Sequence, residues 1–327
     1  MEREIFYIAG HRFVLVGRDV VSLLHGVPGY EYFSEPASTG SSPQRQTSSI
    51  SCPLASSSDW QVTFQPQPLA CEGELLYSYY FADIATDSYF RRSAEGAYSY
   101  EMTSRRGKCA SLCLQYRPGE SAVLASLQGI RDMRSGRANP PPPLQAMLHF
   151  GLWVSFALLA AQAATVPVHS SAVVWHEQAV MFLGESGTGK STHARLWQQN
   201  VEDSWLLNDD SPIVSLSESF PVVFGSPWSG KTPCYHSQGF PLGAIVRLSQ
   251  APQNTIQRLS VPAAVAAVQP SCPTILAYDA RYADWIQDCV SAIVSTVPVY
   301  HLSCLPDAAA AQLCFGSLRE DLQGRRS

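Results

Sequence analysis

Residues 180–192 read Val-Met-Phe-Leu and then Gly-Glu-Ser-Gly-Thr-Gly-Lys-Ser-Thr, an order that few folds accept. The apolar run predicts a buried strand. Gly184, Gly187 and Gly189 end it, because closely spaced glycines suit a tight turn whose N–H groups converge on one point. His193-Ala194-Arg195-Leu196-Trp197 then resumes as a helix, so the unit is strand, loop, helix. The spacing is the full G-x-x-x-x-G-K-[ST] pattern. It predicts a nucleotide's phosphates cradled by Gly184, Glu185, Ser186, Gly187, Thr188, Gly189 and Thr192. In that reading Lys190 neutralises the β- and γ-phosphates, and the Ser191 hydroxyl ligates Mg²⁺.

Lysine usage singles out the same loop. Only Lys108, Lys190 and Lys231 occur among 22 basic residues, and the last two fall in Gly/Ser-rich turns. Lys231 closes the stretch that starts at Gly225. It is expected to clamp phosphate or substrate, where a compact ammonium serves better than a guanidinium fork; a solvated turn lysine is the alternative.

At 327 residues, 46% hydrophobic and 15% charged, the chain can bury sizeable cores. A net charge of −5 and a pI near 5.9, without a basic stripe, argue against nucleic acid. The N-terminus carries no continuous apolar core ahead of a small-residue cleavage site, so it is not read as a signal peptide. A cytoplasmic, reducing setting is therefore expected for the nine cysteines. Cys109 and Cys113 could share a face, but a zinc site would need a matching second pair. The apolar stretch 147–161 is shorter than the roughly 20 residues that span a bilayer. It contains His149 and Ser155 and predicts a helix buried under a sheet.

Taken in order, residues 4–17 predict a hairpin around a glycine turn. Residues 34–58, rich in Ser, Pro and Thr, predict a mobile loop. Short mixed runs at 60–64, 74–81, 98–102 and 109–116 predict strands. Tyr77 and Tyr79, like Tyr98 and Tyr100, stand two apart and predict shared strand faces rather than a ligand-stacking surface. Residues 122–133 predict a helix, and the prolines at 140–143 form a stiff connector. The chain is thus divided into a small β-rich domain (1–136), a Pro-rich linker (137–144) and a nucleotide-binding domain (145–327). In the last, strands are predicted at 166–175, 180–183, 205–214, 243–248 and 299–302, with helices at 261–268, 280–296 and 307–318. Strands and helices alternate imperfectly, and several links are short enough for antiparallel pairing. The fold class expected is α/β with a mixed sheet and some α+β character.

The strand from Trp205 ends in Asp209-Asp210. Adjacent acids at a strand end hold a metal or face water. One can ligate Mg²⁺, while the other, its pKa held up by its neighbour, takes a proton from an incoming hydroxyl. A solvated turn is the alternative.

His169, the loop 184–191 and Asp209-Asp210 stand in the order of the HPr kinase/phosphorylase family, whose P-loop fold is shared with phosphoenolpyruvate carboxykinases. His169 lies 21 residues before Lys190, and the two acids lie 19 and 20 after it. Residues 145–327 resemble the kinase domain of that family, and the resemblance covers residues 1–136 only weakly. The resemblance implies that Lys190 and Ser191 hold phosphates and Mg²⁺, that Asp209 sits near the metal, that His169 lies close to the reacting phosphate, and that Asp210 accepts the proton of the attacking hydroxyl. The family's glutamate-containing signature after the acid pair is missing, and residues 225–234 stand in its place. This pattern is similar to divergent HPr-kinase-related proteins with an N-terminal β-rich domain, and it withholds the HPr substrate and reversal by phosphorolysis.

The activity so implied is an ATP- and Mg²⁺-dependent kinase acting on a hydroxyl, a serine by resemblance, in a protein, peptide or small molecule. Two alternatives stand beside it. A carboxykinase-like enzyme on a carboxylate metabolite would need clustered arginines, and Arg195, Arg247, Arg258 and Arg281 are scattered in sequence. A nucleotide-sensing module would need no acid pair. The partners expected are a nucleotide and the serine-bearing acceptor, with no nucleic acid and no membrane, and a homo-oligomer is left open.

Overall fold

Alternation of apolar and polar residues builds the first half of the molecule. β1 (Arg3–Ile8) and β2 (His11–Val16) form the expected hairpin, turning through Ala9 and Gly10 at positive φ. The computed structural model describes residues 2–34, 59–106, 110–130, 143–230 and 232–324. Nearly all of the loop 34–58 and the linker 137–144, together with Lys231, lie outside these described residues. After the hairpin come α1 (Arg18–Leu24), β3 (Trp60–Gln65), β4 (Glu74–Phe81), β5 (Thr86–Arg92), β6 (Tyr98–Ser104), β7 (Ser111–Tyr116) and β8 (Ala122–Gln128). The eight strands make one sheet in the order β1-β2-β3-β8-β7-β6-β5-β4. It is parallel at β2–β3 and β3–β8 and antiparallel elsewhere.

β8 corrects the helix expected at 122–133. Its alanines and leucines favour a helix in isolation, but Val123, Ala125 and Leu127 alternate into the core between β3 and β7. Tyr98 and Tyr100 share a buried face as their spacing predicts, while Tyr79 and Tyr80 on the edge strand β4 stay exposed. A disulfide joins Cys71 to Cys113. It departs from the reducing setting expected for the cysteines, and it takes Cys113 out of any pairing with Cys109, which is outside the described residues.

The second half runs α2 (Leu144–Ala160), β9 (Thr165–Pro167), β10 (Ser170–Trp175), β11 (Gln178–Leu183), α3 (Lys190–Asn200), β12 (Ser204–Asp210), β13 (Ile213–Ser215), β14 (Val222–Phe224), β15 (Gly239–Gln250), β16 (Thr255–Arg258), α4 (Val261–Val268), α5 (Ala280–Thr296), β17 (Val299–Cys304) and α6 (Ala308–Gly324). The strand order is β12-β10-β11-β15-β14-β13-β9, with β17 beside β15 and β16 beside β17. Parallel pairing of β11, β15 and β17 brings their C-terminal ends to one edge. β10 is antiparallel to β11 and β12, so it starts where they finish. Two expected strands are each split in two: 166–175 breaks at Val168-His169 and 205–214 at Ser211-Pro212, where proline cannot donate to a ladder.

The apolar helix α2 is buried almost all round, as a helix without a polar face must be. Phe156 packs ring to ring with His11, Phe13 and Trp60 from the first sheet and with Trp228 from the second half. One core runs from the first sheet through α2 to Ile213, Phe224 and Tyr282. Buried Asp279 adds a polar tie, accepting from Arg92 and Tyr98 of the first sheet while capping α5 through the Arg281 N–H. Among the described residues no helix is long and apolar enough to cross a membrane. Phe156→Ala is expected to lower stability by about 3–5 kcal/mol, the usual cost of emptying a buried aromatic position. Urea denaturation measures it, and a loss under about 1 kcal/mol would show that α2 does not hold the junction together.

Candidate functional site

Strand pairing alone assembles the site. Ser170 faces Leu183 on β11 and Asp210 on β12, and Ser171 faces Asp209. His169, which precedes β10, the glycine loop after β11 and the acids ending β12 therefore meet at one edge of the sheet.

Gly187 and Gly189 adopt φ of 82° and 106°, a region that L side chains rarely enter. The Thr188 N–H donates to the Glu185 carbonyl and closes the turn. Gly184 is buried, Glu185, Ser186 and Gly187 face solvent, and Ser191 and Thr192 stand exposed on the first turn of α3. Lys190 folds back into the loop, its Nζ 2.9 Å from the Gly184 carbonyl, 3.4 Å from that of Glu185 and 2.9 Å from His169 Nε2. An ammonium only donates, so Nε2 accepts and the ring proton sits on Nδ1. That nitrogen faces Asp210, 3.4 Å from Oδ1.

Crowding sets the charges. The His169 side chain is about half exposed, and partial desolvation of its ring, then the Lys190 ammonium, lower it to about 4, which leaves it neutral at pH 7. Burial also lowers Lys190. Asp210 is pushed up to about 6 by burial and then by Asp209, with Lys190 opposing. Asp209 is only 3% exposed, and its Oδ1 accepts from Ser171 Oγ at 2.5 Å.

The turn 225–230 is laced to the acid pair. The Gly230 N–H donates to the Asp209 carbonyl at 2.7 Å, Ser229 bridges to Asp210, and a Cβ on Gly230 would come within 2.8 Å of the Asp209 carbonyl oxygen. Asn208 Nδ2 donates to the carbonyls of Ser226 and Trp228, and its Oδ1 accepts from the Ser211 N–H. Lys231 itself lies outside the described residues.

Three residues at this edge were missed as site residues by sequence reasoning. Ser171 carried only the signal of a hydroxyl two places after His169. Asn208 stood out only as a neighbour of the acids. Arg247 looked like one of several scattered arginines, yet parallel pairing sets it beside Leu183, with Nη2 3.8 Å from Glu185.

Among the described residues no cluster of three or more His, Cys, Asp or Glu could hold a metal ion unaided. Ser191, Asp209 and Asp210 are hard oxygen donors at the same edge, a set that suits Mg²⁺ when phosphates and water complete its shell.

The chain is a mixed α/β protein built on two mixed sheets, with a polar site at one edge of the second. No family model and no curated protein matches it. Among solved structures it is similar to the Hpr(Ser) kinase/phosphatase from Coxiella burnetii, at 10% identity and a TM-score of 0.27, over 49% of this chain and 99% of that one. So weak a likeness carries no weight for the site, which rests on its own geometry.

Proposed function

We propose that the protein is an ATP- and Mg²⁺-dependent kinase on the P-loop fold shared by HPr kinases and phosphoenolpyruvate carboxykinases, transferring the γ-phosphoryl group to a serine hydroxyl of a protein, peptide or small molecule. What carries the reading is the row Lys190, His169, Asp210 at the mouth of a glycine loop, each side chain within 3.4 Å of the next. Phosphate oxygens replace the loop carbonyls as acceptors for the Lys190 ammonium. Neutral His169 lies between cation and acid, so that Asp210 is not neutralised by a direct ion pair with Lys190. A carboxylate raised to about 6 is a better base near neutral pH than an ordinary one.

Asp210 takes the acceptor's proton as its oxygen bonds to phosphorus and the bond to the β–γ bridging oxygen breaks, leaving ADP. Ser191 and Asp209 hold Mg²⁺, whose charge offsets that of the phosphates. Ser171 fixes Asp209 from behind. Ser171→Ala is therefore expected to raise the Mg²⁺ concentration for half-maximal activity by about tenfold or more, as lost support of a ligand usually does. An unchanged Mg²⁺ titration would free Asp209 of that role.

The deciding experiment incubates the full chain with γ-labelled Mg-ATP and free serine, serine peptides or cell extract, and locates the label by mass spectrometry. Label on a serine hydroxyl supports the kinase reading. Label on a carboxylate would favour the carboxykinase-like alternative, and nucleotide binding without transfer to any acceptor would favour a sensing module.

A further inference from the structure

β11, which carries the glycine loop, has different neighbours on its two flanks. On one side β10 and β12 bring His169 and Asp210; on the other β15 and β17 bring Arg247 and His301, paired directly across the parallel register. A cleft of about 430 Å³ opens on this second flank, between loop residues such as Glu185 and Thr188 and the strand residues Arg247, Ser249, Gln250 and His301. Its volume falls within the roughly 300–1,000 Å³ of small-molecule sites.

The lining is organised before any ligand arrives. Arg247 Nη1 donates to the Ala267 carbonyl at 3.3 Å, and Nη2 lies 3.8 Å from Glu185, whose side chain is 87% exposed. A long ion pair to so exposed a carboxylate is weak and exchangeable, whereas a guanidinium fork suits a phosphate well. Ser249 Oγ lies 3.0 Å from both His301 Nε2 and Ser303 Oγ, a set that can donate and accept. Gln250 Nε2 donates to the Gly187 carbonyl at 3.3 Å and fixes the cleft to the loop.

We propose that this cleft takes the nucleoside end of a nucleoside triphosphate, with Arg247 on the α-phosphate and the Ser249–His301 pair on the hydroxyls of the sugar or the edge of the base. The inference rests on the kinase reading and extends it. If the terminal phosphate reacts beside Asp210, the opposite end of the nucleotide must leave the loop away from the acids, and Arg247 and His301 lie on that flank. A hydroxyl paired with an imidazole can both donate and accept, which suits the polar atoms of a sugar diol or a base edge.

Calorimetry of the full chain with Mg-ATP and with Mg-tripolyphosphate tests it. The wild type should bind ATP more tightly. Ser249→Ala and His301→Ala should each weaken ATP by about tenfold, the worth of one net hydrogen bond, and leave tripolyphosphate within about twofold. Retained tripolyphosphate binding also shows that the variants are folded. Arg247→Ala should weaken both ligands. Equal affinity of the wild type for the two ligands, or unchanged ATP binding in Ser249→Ala and His301→Ala, would overturn the inference while leaving the kinase reading intact. No binding of either ligand to the wild type would remove both.

Discussion

Lys190→Ala is expected to weaken Mg-ATP binding at least about 100-fold and to leave the fold in place. A hydrogen bond to a charged group contributes roughly 1.5–3 kcal/mol, and two such bonds to the β- and γ-phosphates exceed the 2.7 kcal/mol or so that corresponds to 100-fold. The fold should survive because loop shape comes from Gly187 and Gly189 at positive φ and from the Thr188 N–H to Glu185 turn, to which the ammonium adds side-chain bonds at the Gly184 and Glu185 carbonyls. Its removal also relieves a burial cost, since Lys190 is held below its ordinary pKa. Lys190→Arg should not restore affinity, because the wider guanidinium cannot sit where Nζ contacts Gly184 and His169 at once. Calorimetry gives the affinity and a thermal melt the fold; a well-folded Lys190→Ala with wild-type Mg-ATP affinity would end the phosphate-loop reading.

The parts of the fold legible in the sequence are those fixed by local pattern. The strand-loop-helix at 178–200 and the amphipathic helix at 280–296 appear where glycine chemistry and helical periodicity place them. β8 was misread because its residues favour a helix one by one, and only pairing with β3 and β7 makes it a strand. The His169, Lys190 and acid-pair grouping was visible as an order of motifs, whereas its geometry depends on β10 running antiparallel between two strands that share a direction. Arg247 could not be picked out for the same reason: its nearness to the loop is a register between β11 and β15, which are far apart in sequence. Asn208 was hidden for another, since its value lies in tying the turn 225–230 to the acids, and no spacing rule announces that contact.

Asp210→Asn is expected to separate the proposed transfer step from nucleotide binding and from stability in a single variant. Loss of a general base typically costs about 10²–10⁴ in rate, and turnover should fall by that amount while Mg-ATP affinity stays within about twofold. The wild-type kcat/KM should rise with pH, reach half its plateau near pH 6, where half of the Asp210 carboxyl is ionised, and level off about one to two pH units higher. The same shift fixes the sign of the stability change. Asp210 lies at about 6 in the folded protein against an ordinary 3.8, so folding favours its protonated form. The penalty for holding it ionised is absent below about pH 4, grows between 4 and 6, and is complete above that. Asparagine carries no charge to confine, so the variant should be more stable than the wild type at pH 8 and lose that advantage at pH 4. A site built for catalysis shows this trade, whereas a solvated turn does not. Thermal melts at the two pH values, run beside the transfer assay, decide it. Equal stability at pH 4 and pH 8 together with undiminished turnover would return the acid pair to a solvent-facing turn.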